Sequence, residues 1–222
     1  MLLGYAYNWS IVLDHWRSLV LGAWLDVWIT AISFLLACVL GVALAVFRLS
    51  PLRILRWPAF AYIQLMRGIP LLVMLYWVYF GIAIVIGVAF TSVQAAIIAL
   101  TVTGSAYTAE IFRAGIQSVE QGQVETATAL GFPRRDTFRF VVFPQAVRIA
   151  IPPLGNTFIG LLKGSTLISV IGVADMIFVA QQINLDYFTP FEPFTAVAVI
   201  LIVLVAVFSL LVAGIERMLR LP

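Results

Sequence analysis

Apolar runs long enough to cross a lipid bilayer recur along this chain, and they constrain its fold more than any other feature. A spanning helix needs roughly 20 predominantly apolar residues. Such runs are read at residues 19–47, 57–80, 93–112, 143–180 with interruptions, and 194–211. Composition agrees: 63% of residues are hydrophobic and 10% charged, where a soluble domain carries about 25% charged residues. The mean hydropathy of +1.09 leaves too few polar groups to build a water-facing surface. The expected fold is therefore an all-α membrane protein of about five transmembrane helices, forming one transmembrane domain over residues 1–222. The first twenty residues contain Asp14, His15 and Arg17 and do not read as a cleaved signal peptide.

Basic residues orient the spans. Arg48, Arg53 and Arg56 lie between the first two. Arg113, Arg134, Arg135, Arg139 and Arg148 lie between the third and fourth, and Arg217 and Arg220 follow the fifth. The positive-inside rule then puts the N-terminus outside and the C-terminus in the cytoplasm. Trp9, Trp16, Trp24 and Trp28 gather near the outer end of the first span, as an interfacial aromatic belt does. The connection at 81–92 is uncharged and reads as a short or partly buried loop. The one at 181–193 reads as a turn with a short surface helix.

The polar connection at about 113–142 stands apart. A short helix is expected to start near Ser118 to Glu120 and to stop at Gly131 to Pro133. Val124, Ala127 and Leu130 would form an apolar stripe on it, to be pressed against lipid headgroups or a cytoplasmic partner.

Charge inside a bilayer is costly, roughly 2.5–3.5 kcal/mol per residue on insertion scales, so Arg67, Glu110, Lys163 and Asp175 are informative. Arg67 precedes Gly68 and Pro70, where the helix is expected to break. Glu110 and Arg113 are three apart and can pair on one helix face. Lys163, Gly164, Ser165 and Thr166 interrupt the fourth span with polar groups, as in substrate sites built at discontinuous helices. Asn156 sits two turns earlier. Arg67, Glu110, Asn156, Lys163, Ser165 and Thr166 are candidate pathway or substrate residues, with mutual pairing inside the bundle as the alternative. Cys38 is the only cysteine and His15 the only histidine. That excludes an intrachain disulfide and gives no support to a metal centre or a histidine-dependent catalytic site.

The polar loop resembles a known family. Glu125-Thr126-Ala127, then three residues, Gly131, nine residues, and Val141-Val142-Phe143-Pro144 match the loop motif of ABC importer membrane subunits. That motif reads Glu-Ala-Ala, three residues, Gly, nine residues, Ile-x-Leu-Pro; the substitutions at Thr126, Val141 and Phe143 keep similar size or apolar character. Gln121-Gly122-Gln123, Met66 to Leu72, Ala106 to Gly115, Gln145-Ala146 with Arg148, Ile151 to Asn156, and Leu162 to Ser169 are similar to the polar amino acid uptake subfamily. Gly164 departs from it, since relatives often carry an acidic residue or Asn there. The resemblance covers about residues 24–175.

It implies a permease subunit in the bacterial cytoplasmic membrane, moving polar amino acids or close analogues by alternating access. Two permease chains, identical or homologous, would form the pathway, with two cytoplasmic ATPase subunits and an extracytoplasmic binding protein, in contact with lipid and without nucleic acid. Glu125, Thr126, Ala127, Gly131, Arg134 and Arg135 would couple to the ATPase. The chain has no Gly-x-x-x-x-Gly-Lys-Ser/Thr loop, so ATP and Mg would be bound by the partner and no catalytic residue is expected here. A passive channel, a secondary transporter and a membrane scaffold are the competing classes. A secondary transporter would usually show internal inverted repeats, and none is seen in the five spans; for a scaffold the loop spacing would be coincidence.

Overall fold

The computed structural model describes residues 7–219, and Arg220 lies outside them. Helix α1, Ser10–Leu49, runs on past both ends of its apolar run; at 1.5 Å per residue it is about 60 Å long, more than a bilayer core requires. Trp16, Trp24 and Trp28 in its first half, and Trp9 at its N-cap, are all exposed.

Helix α2, Arg53–Gly68, stops before Pro70, which supplies no amide hydrogen to continue it. Helix α3, Leu71–Tyr76, a π turn at Trp77–Gly81 and α4, Ile82–Ile86, then continue in a new direction. The bend between the two halves is 107°, at the Gly68–Pro70 break that the sequence indicates. The 81–92 connection is thus partly helical. Gly87, at φ 70°, ends that helix in the left-handed region. Helix α5, Ser92–Gln117, begins with a reciprocal cap: Thr91 Oγ1 accepts from Gln94 N–H and Gln94 Oε1 accepts from Thr91 N–H.

After α5 come the short helices α6, Gln121–Ala129, and α7, Arg134–Thr137, then a π turn at Phe138–Val142 and helix α8, Phe143–Ser165. A 3-10 turn at Ile168–Ile171 and left-handed Gly172 lead to α9, Met176–Tyr187, and then α10, Phe191–Leu219.

The core sits where α1 and α5 cross. Ile29, Leu75, Ala96, Leu100, Leu161 and Ile168 are buried there. Small residues let the backbones approach: a Cβ on Gly41 would lie 2.1 Å from Thr108 Oγ1, and that hydroxyl donates to the Ala37 carbonyl at 2.8 Å. Close contact through small residues and interhelical hydrogen bonds is how helices associate where solvent exclusion drives little. Helix α10 is different. Only 6% of its most apolar window is buried within the chain; Ala196, Ile200, Leu201 and Leu204 pack against the α1–α9 cluster, and the rest of its apolar surface is left largely uncovered.

Among the described residues, α1, α5 and α10 are each long and apolar enough to span a membrane, and α2 with α3–α4 makes a fourth if the bent pair is one span. Helix α8 is 23 residues long but does not qualify, because Gln145, Arg148, Asn156 and Lys163 dilute its apolar sequence. Length and apolarity alone therefore give three or four spans, against the five read from the sequence.

Candidate functional site

Three groups of polar residues stand out from the apolar bundle. The first is the α6 segment. Its end is a complete Schellman turn: Phe132 N–H donates to the Ala127 carbonyl and Gly131 N–H to that of Thr128. Gly131 takes φ 83° with open space where a Cβ would be, so the backbone angle and not crowding demands glycine. The helix therefore ends at Ala129, earlier than a stripe through Leu130 requires. Ala127 is buried and Val124 half-buried, but Leu130 is 73% exposed.

Glu125 accepts a 2.8 Å hydrogen bond from Gln121 Nε2 and is exposed with Thr126, Gly131, Arg134 and Arg135. An open cleft of about 450 Å³ follows α6, walled by Glu120, Gln123, Thr126, Leu130, Phe132 and Val141. Gln145 at the start of α8 donates to Gln123 Oε1 and to the Val141 carbonyl. The short helix is thus hydrogen-bonded directly to a long one.

The second group lies on one face of α5 and α8. The Arg67 guanidinium stands 5.4 Å from the Tyr107 ring centroid, within cation–π range. Glu110 and Arg113 pair at 2.6 Å, and Arg113 also donates to Gln117. Arg67, Tyr107, Glu110, Arg113 and Pro153 line an open groove of about 440 Å³. Tyr107 also borders a second groove, of about 370 Å³, with Asn156, Thr157 and Gly160. On α8, Ile149, Asn156, Gly160 and Lys163 are exposed, and their spacing puts them on one helix face. The structure thus brings Arg67, Glu110 and Asn156 around Tyr107, with Lys163 further along the same stripe. Thr166, half-buried, caps the end of α8 and donates to the Lys163 carbonyl.

The third group is interior. Ser165 is fully buried and donates to Asp26 Oδ1 at 2.8 Å and to the Leu162 carbonyl, so its hydroxyl ties α8 to α1. Asp26 also faces the Met176 amide at the start of α9, at 3.5 Å. Asp175 caps α9, accepting from Phe178 N–H at 2.7 Å. A Cβ on Gly22 would lie 2.6 Å from Met176 N, so α1 and α9 touch backbone to backbone beside this cluster. The sequence reading of intramembrane charge passes over Asp26. Its signal was present, a carboxylate inside the 19–47 apolar run, but not its partners. Glu192, also fully buried, accepts from the Asn8 amide at 2.7 Å. No cluster of three or more His, Cys, Asp or Glu suited to a metal occurs among the described residues.

A bundle of apolar helices with a bent span, a broken polar helix and a short helix hydrogen-bonded to it defines a membrane transport subunit. Residues 37–221 match the family described as the binding-protein-dependent transport system inner membrane component, and the chain belongs to that family. It is 38% identical over 188 residues to the probable amino-acid ABC transporter permease protein YckA of Bacillus subtilis (strain 168), covering 83% of each chain. It is 35% identical to the probable glutamine ABC transporter permease protein GlnM of the same organism, covering 96% of this chain and 98% of that one. A crystal structure of an amino acid ABC transporter with histidines superposes with a TM-score of 0.92 at 34% identity, over 96% of this chain and 100% of that one. The MetNI methionine ABC transporter in an inward-facing conformation shares the fold, with a TM-score of 0.80 at 22% identity. The family is the permease component of ABC importers, in which ATP hydrolysis belongs to separate subunits.

Proposed function

We infer that this permease subunit moves polar amino acids or close analogues across a bacterial cytoplasmic membrane by alternating access. Five spans are inferred, with α8 counted despite its polar residues because a helix lining a water-filled path need not be apolar on every face. The N-terminus is outside and the C-terminus in the cytoplasm, as the arginine distribution requires. Two such chains, identical or homologous, face each other across the α5–α8 stripe. Arg67, Glu110, Asn156, Lys163 and Thr166 lie on or beside the path, and Ser165 holds its wall.

Two cytoplasmic ATPase subunits bind ATP and Mg, and each docks on an α6 segment. Glu125, Thr126, Ala127 and Gly131 shape that contact, while Arg134 and Arg135 meet acidic groups on the ATPase. An extracytoplasmic binding protein delivers the ligand. The observation that carries this reading is the α6 helix, closed by Gly131 and bonded through Gln123 to Gln145 of α8. A zwitterionic amino acid suits a face that offers both Arg67 and Glu110.

The test is a panel of amino acids added with the cognate binding protein to the reconstituted complex, reading ATP hydrolysis. Stimulation by one or a few polar amino acids is expected. Stimulation by none of them, from a complex that still hydrolyses ATP, removes the substrate assignment.

A further inference from the structure

At the end of α1 farthest from the tryptophan cluster, Arg48 and Arg56 share a small cavity of about 230 Å³ with Trp57 and Phe60. The Arg48 guanidinium lies over the Phe60 ring, 4.6 Å from its centroid, and Trp57 meets Phe60 edge to face at 5.9 Å. Arg48 Nε is buried and has no hydrogen-bond partner. Neither Arg48 nor Arg56 has an ion pair among the described residues. Arg53 adds a third positive charge, and no acidic residue stands in the first turn of α2. Two half-buried guanidinium groups are thus held by aromatic walls beside the last residues of an apolar span, with no anionic partner among the described residues.

We propose that this cavity binds the phosphodiester of an anionic phospholipid, with Arg48 and Arg56 on the phosphate and Trp57 at the headgroup level. Arginine forks match phosphate oxygens in pairs, and basic pockets between helices at a membrane face take up anionic headgroups. Tryptophan favours the same depth. A phosphate-bearing solute offers the same oxygens. The lipid is favoured because the apolar run of α1 ends at Phe47, which places the pocket at the boundary of the hydrocarbon where lipid phosphates already lie. The site rests on the chain spanning a membrane and not on the transported substrate.

The test uses the purified complex of permease and ATPase subunits in mild detergent. It is exposed to equal amounts of phosphatidylglycerol and phosphatidylcholine of the same chain length, and retained lipid is counted by native mass spectrometry. A preference for phosphatidylglycerol of roughly tenfold or more is expected. The Arg48→Gln, Arg56→Gln double variant should lose it, and millimolar inorganic phosphate should not displace the lipid. Equal retention of both lipids by the wild-type complex overturns the site. So does undiminished preference in the double variant, displacement by phosphate, or a preference that appears only when the ATPase subunits are removed. Should the double variant fail to assemble, Arg48→Lys keeps the charge without the fork and is expected to weaken the preference; an unchanged preference there also counts against it. Amino acid uptake is read separately, so lost lipid selectivity and a wrong substrate assignment give different results.

Discussion

Ser165, in the last turn of α8, donates a 2.8 Å hydrogen bond to Asp26 Oδ1 in α1, across 139 positions of sequence. The contact joins the first long helix to the place where the α8 helix breaks. Since Asp26 also faces the Met176 amide, one carboxylate touches both sides of the break between α8 and α9. A polar break in a membrane is tolerated only where protein or water satisfies the freed groups; here Asp26 serves Ser165 and the Met176 amide, while Asp175 Oδ2 is buried without a protein partner.

Removing one partner should therefore cost more than removing both. Ser165→Ala leaves a buried carboxylate oxygen short of its side-chain donor, a loss of roughly 1–3 kcal/mol. Thermal unfolding of Ser165→Ala, Asp26→Ala and the double variant should give a coupling of roughly 0.5–3 kcal/mol. Additive losses would mean that the bond does not hold the break.

Glycines divide into those that admit a neighbour and those that do not. A Cβ on Gly22 or Gly41 would lie within 2.6 Å of a neighbouring atom, whereas Gly160 has open space. Gly22→Ala and Gly41→Ala should each destabilise the folded chain by roughly 1–3 kcal/mol through overpacking. Gly160→Ala should stabilise α8 by roughly 0.5–1 kcal/mol in the isolated subunit. Because Gly160 lies on the exposed α8 stripe, the same substitution should lower transport in the assembled complex. Thermal melts of the subunit and uptake by the complex separate the two effects.

Gly131 supplies the left-handed backbone position that closes α6. Asn tolerates that conformation better than a β-branched residue does. Gly131→Asn should keep most of the ligand-stimulated ATP hydrolysis and Gly131→Val should lose most of it, with both variants present in the membrane at wild-type amounts. Equal activity of the two would remove the Schellman turn from the coupling.

The α6 segment was the most legible part of the chain, because helix, glycine stop and proline exit are all local in sequence. The break at Gly68–Pro70 and the Glu110–Arg113 pair were legible for the same reason, each lying within a few residues. The Asp26–Ser165 contact was not, since nothing local reveals which residue 139 positions away answers a buried carboxylate. The apolar stripe through Leu130 failed because helical periodicity was carried one residue past Ala129, where the helix ends in the turn that Gly131 closes. The count of spans was hardest: α8 carries its polar residues on an exposed stripe, so its average apolarity falls below that of α1, α5 and α10 although its length suffices.

The most direct test is ATP-dependent uptake of labelled polar amino acids into proteoliposomes. They would hold this chain, its partner permease and the ATPase subunits, with the binding protein outside and ATP with Mg inside. Uptake against a gradient is expected with wild-type protein, and it should be lost when ATP is omitted or when α6 is disrupted by Glu125→Arg with Gly131→Val. Uptake that proceeds equally without ATP, or equally with α6 disrupted, would contradict the assignment of this chain as a pathway driven through that helix.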